Sequence, residues 1–148
     1  MDLRSTIDHT ILSPDAGQSD IIKVIDEAIK YKFRGVCVNP CWVELVSQRL
    51  SGTGIKTVSV VDFPLGASLT DVRIFEAERV MNSGADEIDV VVNPGLFRSK
   101  GEGEVKRDLS RIVEVVHPAC RVKVIIEAPL LGDDEIAGLS EIVEDSGA

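Results

Sequence analysis

The sequence predicts an α/β fold of the (β/α)8 TIM-barrel type, here an incomplete barrel of about five β–α units in one domain over residues 1–148. Three observations predict it. Strand-like and helix-like segments alternate from end to end, the rhythm of parallel strands joined by helical crossovers. The connections are short, with no linker, low-complexity stretch or tandem repeat. Several strands carry polar groups on one face and only aliphatic groups on the other. An open doubly wound sheet, covered by helices on both sides, reads as apolar on both faces, so the third observation favours a barrel wall.

The elements follow in order. "STIDHTIL" (5–12) reads as a short first strand. "SPDAGQSDIIKVIDEAIKYK" (13–32) opens with turn residues and then sets Ile21, Ile22, Ile25, Ala28 and Ile29 at helical spacing. "RGVCVN" (34–39) is a strand. "PCWVELVSQRL" (40–50) is a helix with proline in its first turn and Trp42, Leu45, Val46 and Leu50 in register as core. "IKTVSVVDF" (55–63) is a strand. "SLTDVRIFEAERVMNSG" (68–84) is a helix, capped by Ser68 or Thr70 and stopped at Gly84. "DEIDVVVN" (86–93) is a strand. "EGEVKRDLSRIVEVVH" (102–117) is a helix ended by Pro118. "RVKVIIEA" (121–128) is a strand, and "DDEIAGLSEIVEDSG" (133–147) is a final helix with acids in its first turn.

Parity locates the chemistry, because successive strand residues face opposite sides. Ile88, Val90 and Val92 share one face of the fourth strand; Glu87, Asp89, Val91 and Asn93 share the other. In the fifth, Val122, Val124 and Ile126 oppose Lys123, Ile125 and Glu127. In the second, Val36 and Val38 oppose Gly35, Cys37 and Asn39, and in the first Asp8 and Thr10 lie together. The aliphatic faces meet helices, and the polar faces point into the barrel. Asp89 and Lys123 are then neighbouring opposite charges on the inner face, where an unpaired charge would be costly. Parity does not choose between a structural ion pair and a catalytic one. His9 is read as a strand residue with an ordinary hydrogen bond, and Cys37, taken alone, as a small buried hydrophobe. "DFPLGAS" (62–68) is a tight βα loop in which Gly66 implies close backbone approach.

Composition limits the function classes. A net charge of −9 argues against non-specific nucleic-acid or anionic-membrane binding, while leaving room for a small phosphorylated ligand. No apolar run has the length of a membrane span, and "MDLRSTIDHT" has no signal-peptide core. Cys37, Cys41 and Cys120 form neither an even set nor a metal-ligand pattern, so no metal site is assigned and a reducing cytoplasm is the expected setting.

"IDHTIL" (7–12), "VCVNP" (36–40), "DFPLGAS" (62–68), "GADEIDVVVN" (84–93) and "VKVIIEAPLL" (122–131) occur together and in this order. Together they resemble the deoxyribose-phosphate aldolase family, across essentially the whole chain. The resemblance implies a (β/α)8 barrel and reversible cleavage of 2-deoxy-D-ribose 5-phosphate to D-glyceraldehyde 3-phosphate and acetaldehyde. The reaction runs through a lysine Schiff base without cofactor or metal. It also implies that Asp89 donates and accepts protons and that Lys123 supports the Asp89 network. Asp8, Thr10 and Cys37 would line the substrate pocket, and a homo-oligomer is expected. Ala128 departs from the threonine that many relatives carry there. In the family, the Schiff-base lysine lies on a sixth strand, beyond the segments matched by residues 1–148. Lys123, on the fifth, does not take that role. A polypeptide of these residues alone is therefore expected to be inactive. Two other readings stand beside it: a non-catalytic partial-barrel binding or assembly module, and one half of a split aldolase.

Overall fold

The computed structural model describes residues 2–148. Five strands, β1 (Asp8–Ile11), β2 (Gly35–Val38), β3 (Lys56–Val61), β4 (Glu87–Val91) and β5 (Arg121–Ile125), form one parallel sheet in chain order. The helices are α1 (Gln18–Tyr31), α2 (Val43–Leu50), α3 (Thr70–Asn82), α4 (Pro94–Lys100), α5 (Glu102–Val116) and α6 (Asp133–Asp145).

The helices form where apolar residues recur on one face. Ile21, Val24, Ile25 and Ala28 are the buried stripe of α1, and Val105, Leu109, Ile112 and Val116 belong to that of α5. These stripes pack on the aliphatic sheet face of Val36, Val38, Ile88, Val90 and Val122, making the main core. Trp42 is half-buried at its margin. The other sheet face holds a much smaller apolar group, Cys37, Val58 and Val60, with Leu12 against it.

The sheet is strongly curved. Laid flat, its edge strands would stand about 19 Å apart, four spacings of about 4.8 Å. That exceeds the combined reach of a lysine and an aspartate, yet Lys123 Nζ on β5 lies 2.8 Å from Asp8 Oδ2 on β1. The polar face is therefore concave, a wall of a barrel with β1 and β5 as its edges among the described residues.

Local details depart from the sequence expectations. Neither Ser68 nor Thr70 caps α3: the N-cap is Leu69, without a side-chain hydrogen bond. Ser68 instead donates through its amide and hydroxyl to Asp62, at 3.0 and 2.7 Å, and the Thr70 hydroxyl donates to Asp108 at 2.6 Å. Asn93 leaves the strand and caps α4, accepting from the Leu96 amide at 2.8 Å, with Pro94 next in the first turn. Gly66 has φ +61°, and a Cβ there would stand 2.2 Å from the Val92 carbonyl oxygen. The "DFPLGAS" loop therefore lies directly on the end of β4. Val91 and Cys37, which an open barrel wall would leave exposed, are buried, whereas Ile125 is only half-buried.

Candidate active site

Five side chains from three strands and one loop meet on the concave face. Lys123 Nζ lies 2.8 Å from Asp8 Oδ2, 2.9 Å from Asp89 Oδ1 and 3.6 Å from Glu87 Oε2. Arg34, just before β2, donates through Nη1 to both oxygens of Asp8, at 2.9 and 3.1 Å, and through Nη2 to Glu87 Oε1. Sheet register explains part of this. Asp89 pairs with Lys123 across β4 and β5, and Asp8 pairs with Gly35 across β1 and β2. Curvature supplies the rest by bringing β5 over to β1.

The cluster holds three carboxylates, Asp8, Glu87 and Asp89, against two cations, Arg34 and Lys123. One negative charge is in excess, and it bears on Asp89. Asp89 Oδ1 is near the ammonium but has no aligned hydrogen bond. Burial pushes the Asp89 carboxyl above its ordinary value, against the pull of Lys123, and the charges of Asp8 and Glu87 push it further. For Lys123, burial works against the ammonium, but its bonds to Asp8 and Asp89 outweigh burial and hold it above the usual lysine value. It is thus an ammonium at neutral pH, with no lone pair to attack a carbonyl. Burial first, and then the Asp89 charge, push the Cys37 thiol up to about 12, so it remains a neutral thiol on the concave face. Thr10 stands opposite Cys37 in the register, and its hydroxyl donates to the Asp8 carbonyl at 2.8 Å. His9 faces the helix side, where Nε2 contacts Glu27 Oε2 at 2.8 Å, the ordinary role expected for it.

The structure therefore brings Asp8, Lys123 and Asp89 into one network, with Cys37 and Thr10 beside it. Sequence reading missed Arg34 and Glu87 as members. Glu87 shares the parity of Asp89, which was a usable signal. Arg34 lies outside the strand, and only the folded loop shows where its side chain goes.

Asp89 carries a stability cost with a definite pH dependence. A carboxyl raised in the fold favours the protonated form, so stability present below about 3.8, its unfolded value, falls as pH rises through the folded value. Asp89→Asn is therefore expected to gain on the wild type between pH 3.5 and pH 7 in urea denaturation. A gain that shrinks over the same interval would mean that ionised Asp89 is held by Lys123 as a net stabilising pair.

Beyond the network, a cavity of about 480 Å³ opens at the C-terminal ends of β3 to β5, lined by Leu65, Val91, Asn93, Arg98 and Glu127 among others. A groove of about 610 Å³ runs along the free edge of β5, between Val113, His117 and Gly147 on one side and Val122 and Lys123 on the other. The chemistry lies on the concave face, and the groove matters as an unpaired strand edge. No metal-binding cluster of His, Cys, Asp and Glu occurs among the described residues, and no helix among them is long and apolar enough to cross a membrane.

The family model described as DeoC/LacD family aldolase matches residues 4–147. This chain belongs to the DeoC/LacD aldolase family. Among its relatives, the deoxyribose-phosphate aldolase of Clostridium novyi is 44% identical over 148 residues, covering 100% of this chain and 67% of the relative. That of Bacillus subtilis is 43% identical, covering 100% of this chain and 66% of the relative. The chain thus spans about two thirds of the length of these curated relatives. Among solved structures, the tetrameric deoxyribose phosphate aldolase of Aeropyrum pernix aligns with TM-score 0.91 and 37% identity, covering 99% of this chain and 62% of that one. An aldolase called QR15 aligns with TM-score 0.93 and 33% identity, covering 100% and 66%. The barrel wall expected from strand parity is the fold of this chain, and it matches these aldolase structures.

Proposed function

We propose that this DeoC/LacD chain supplies the proton-handling side of a deoxyribose-phosphate aldolase site. The reaction is the reversible cleavage of 2-deoxy-D-ribose 5-phosphate to D-glyceraldehyde 3-phosphate and acetaldehyde. The observation that carries this reading is the position of Asp89. It is a carboxyl raised by burial on the concave face, next to an ammonium and within a cluster short of one cation. Such a group holds a proton at a pH where an ordinary aspartate has lost it, and can return it to a developing carbanion. Asp8 and Lys123 fix its position. Cys37 and Thr10 form the neutral side of the pocket.

The amine that forms the Schiff base is not Lys123. An imine-forming lysine needs a free lone pair, obtained by desolvation or by a neighbouring cation. Lys123 is instead neutralised by two carboxylates. The reaction therefore needs a lysine from a further strand, and the groove along β5 is where such a strand would pair. A polypeptide of residues 1–148 is accordingly expected to lack turnover, and fusion to the remaining third of a relative such as the Clostridium novyi enzyme is expected to restore it. A fused barrel that folds and binds substrate but never turns over contradicts the reading.

A homo-oligomer in a cytoplasmic setting belongs to the same proposal. Among the described residues, β1 and β5 each have one edge without a strand partner, and such edges recruit other strands. Light scattering on the 148-residue polypeptide at micromolar concentration is expected to show self-association. A stable monomer that binds no hydrophobic dye would contradict it.

A further inference from the structure

We propose that Arg34 is a positioning residue for Asp89: by tying Asp8 to Glu87 from below, it keeps Lys123 lodged between Asp8 and Asp89. This rests on reading Asp89 as the proton-handling group.

The loop that carries Arg34 is fixed. Its amide donates to the carbonyls of Arg4 and Ile7, at 3.1 and 3.0 Å, and its carbonyl accepts from the Lys56 amide at 2.9 Å. From there the guanidinium enters the N-terminal end of the concave face and meets two carboxylates from strands that do not touch, β1 and β4. A planar fork does this from separate nitrogens, Nη1 on both oxygens of Asp8 and Nη2 on Glu87; a lysine in this loop would bring one point charge and could not reproduce both grips. The next residue makes room. A Cβ at Gly35 would stand 2.5 Å from Asp8 Oδ1, so a side chain there would displace the carboxylate that Arg34 grips. The glycine is needed for space, since its φ lies outside the left-handed region.

The consequence follows from charge. Glu87 is 5% exposed, and its Oε2 has no hydrogen-bond partner. Besides Arg34, Lys123 is the cation beside it, at 3.6 Å. If Arg34 is removed, Glu87 becomes a buried anion facing that ammonium, and Lys123 is drawn off Asp89 towards it. The groups that bear on Asp89 are Lys123 on β5, Asp8 on β1 and Glu87 on β4, with the Cys37 thiol of β2 nearby; Arg34, just before β2, acts on it through Asp8 and Glu87. β3 contributes only Val58 and Val60 to this face.

The test is a carbon-13 NMR titration of the aspartate carboxyls in the full chain, with the Asp89 signal assigned through Asp89→Asn. Arg34→Met is expected to raise the Asp89 midpoint by about half a unit to one unit, since Lys123, drawn towards Glu87, then gives Asp89 less of the opposite-charge stabilisation that shifts a carboxyl by about one unit or more at close range. Arg34→Lys is expected to recover only part of the shift. Arg34→Met/Glu87→Gln removes one charge of each sign. It keeps the test decisive if the single variant does not fold, and its midpoint is expected to return close to that of the wild type. An unmoved midpoint in folded Arg34→Met, full recovery by lysine, or a double variant displaced by half a unit or more overturns the proposal. The titration reads Asp89 without substrate. Failure of a completed barrel to turn over would refute the catalytic reading and leave this one standing.

Discussion

Replacing Arg73 with methionine is expected to cost about 3–5 kcal/mol of folding stability, the range for breaking a buried ion pair by removing one partner. Arg73 sits on α3 and is 1% exposed. One guanidinium nitrogen donates to Asp108 on α5 and another to the Val91 carbonyl at the end of β4, while Nε lies 3.4 Å from Asp62 Oδ2. One cation thus binds two helices, the end of β4 and the "DFPLGAS" loop, whose Asp62 also holds Ser68. Methionine fills similar space but leaves Asp62 and Asp108 as buried anions and the Val91 carbonyl without its donor. Against a total stability of about 5–15 kcal/mol for a domain, the loss is large enough to populate unfolded chain at physiological temperature. Urea denaturation of the variant measures it. Arg73→Met/Asp108→Asn should recover part of the loss. A loss below about 1 kcal/mol, the scale of an exposed pair, would show that Arg73 does not carry this junction.

The largest expected effect on chemistry lies at Asp89. In a barrel completed by the last third of a relative, Asp89→Asn is expected to lower kcat by about 10²–10⁴, the usual contribution of a general acid–base. Its effect on KM should be small. Asparagine keeps the shape of the side chain and an oxygen beside the Lys123 ammonium, so the loss isolates proton transfer. The same substitution is expected to favour the fold at neutral pH. A functional carboxyl held against its own burial has this signature: removing it harms turnover and helps stability. A purely structural Asp89–Lys123 pair would leave turnover little changed and lose stability.

Most of the fold could be read in the sequence because its signals are local. Buried stripes such as Ile21, Val24, Ile25 and Ala28 repeat with the helical period, and the aliphatic strand faces repeat with a period of two. Helix α4 was missed because "NPGLFRSK" looks like a turn. Its signals, an asparagine cap followed by proline, were present but masked by Gly95. The cap of α3 was misread because Ser68 and Thr70 have partners far along the chain or across the loop, and those partners win over the helix end. In the site, parity put Asp8, Asp89 and Lys123 on one face. The curvature that lets Lys123 reach β1 is a property of the whole sheet. Arg34 and Arg73 are charged residues that strand and helix patterns assign to solvent, and only the assembled layers show them turned inward.

The central claim is that Lys123 serves Asp89 and is not the imine-forming amine. It is tested most directly by borohydride trapping with acetaldehyde, followed by peptide mass spectrometry. A lysine amine and acetaldehyde lose water to form an imine, and borohydride reduces the imine to a stable N-ethyl lysine. The account predicts no ethyl group on Lys123, either in the 148-residue polypeptide or in the completed barrel, where the label falls on a lysine of the supplied segment. An ethyl adduct on Lys123 at neutral pH would contradict it.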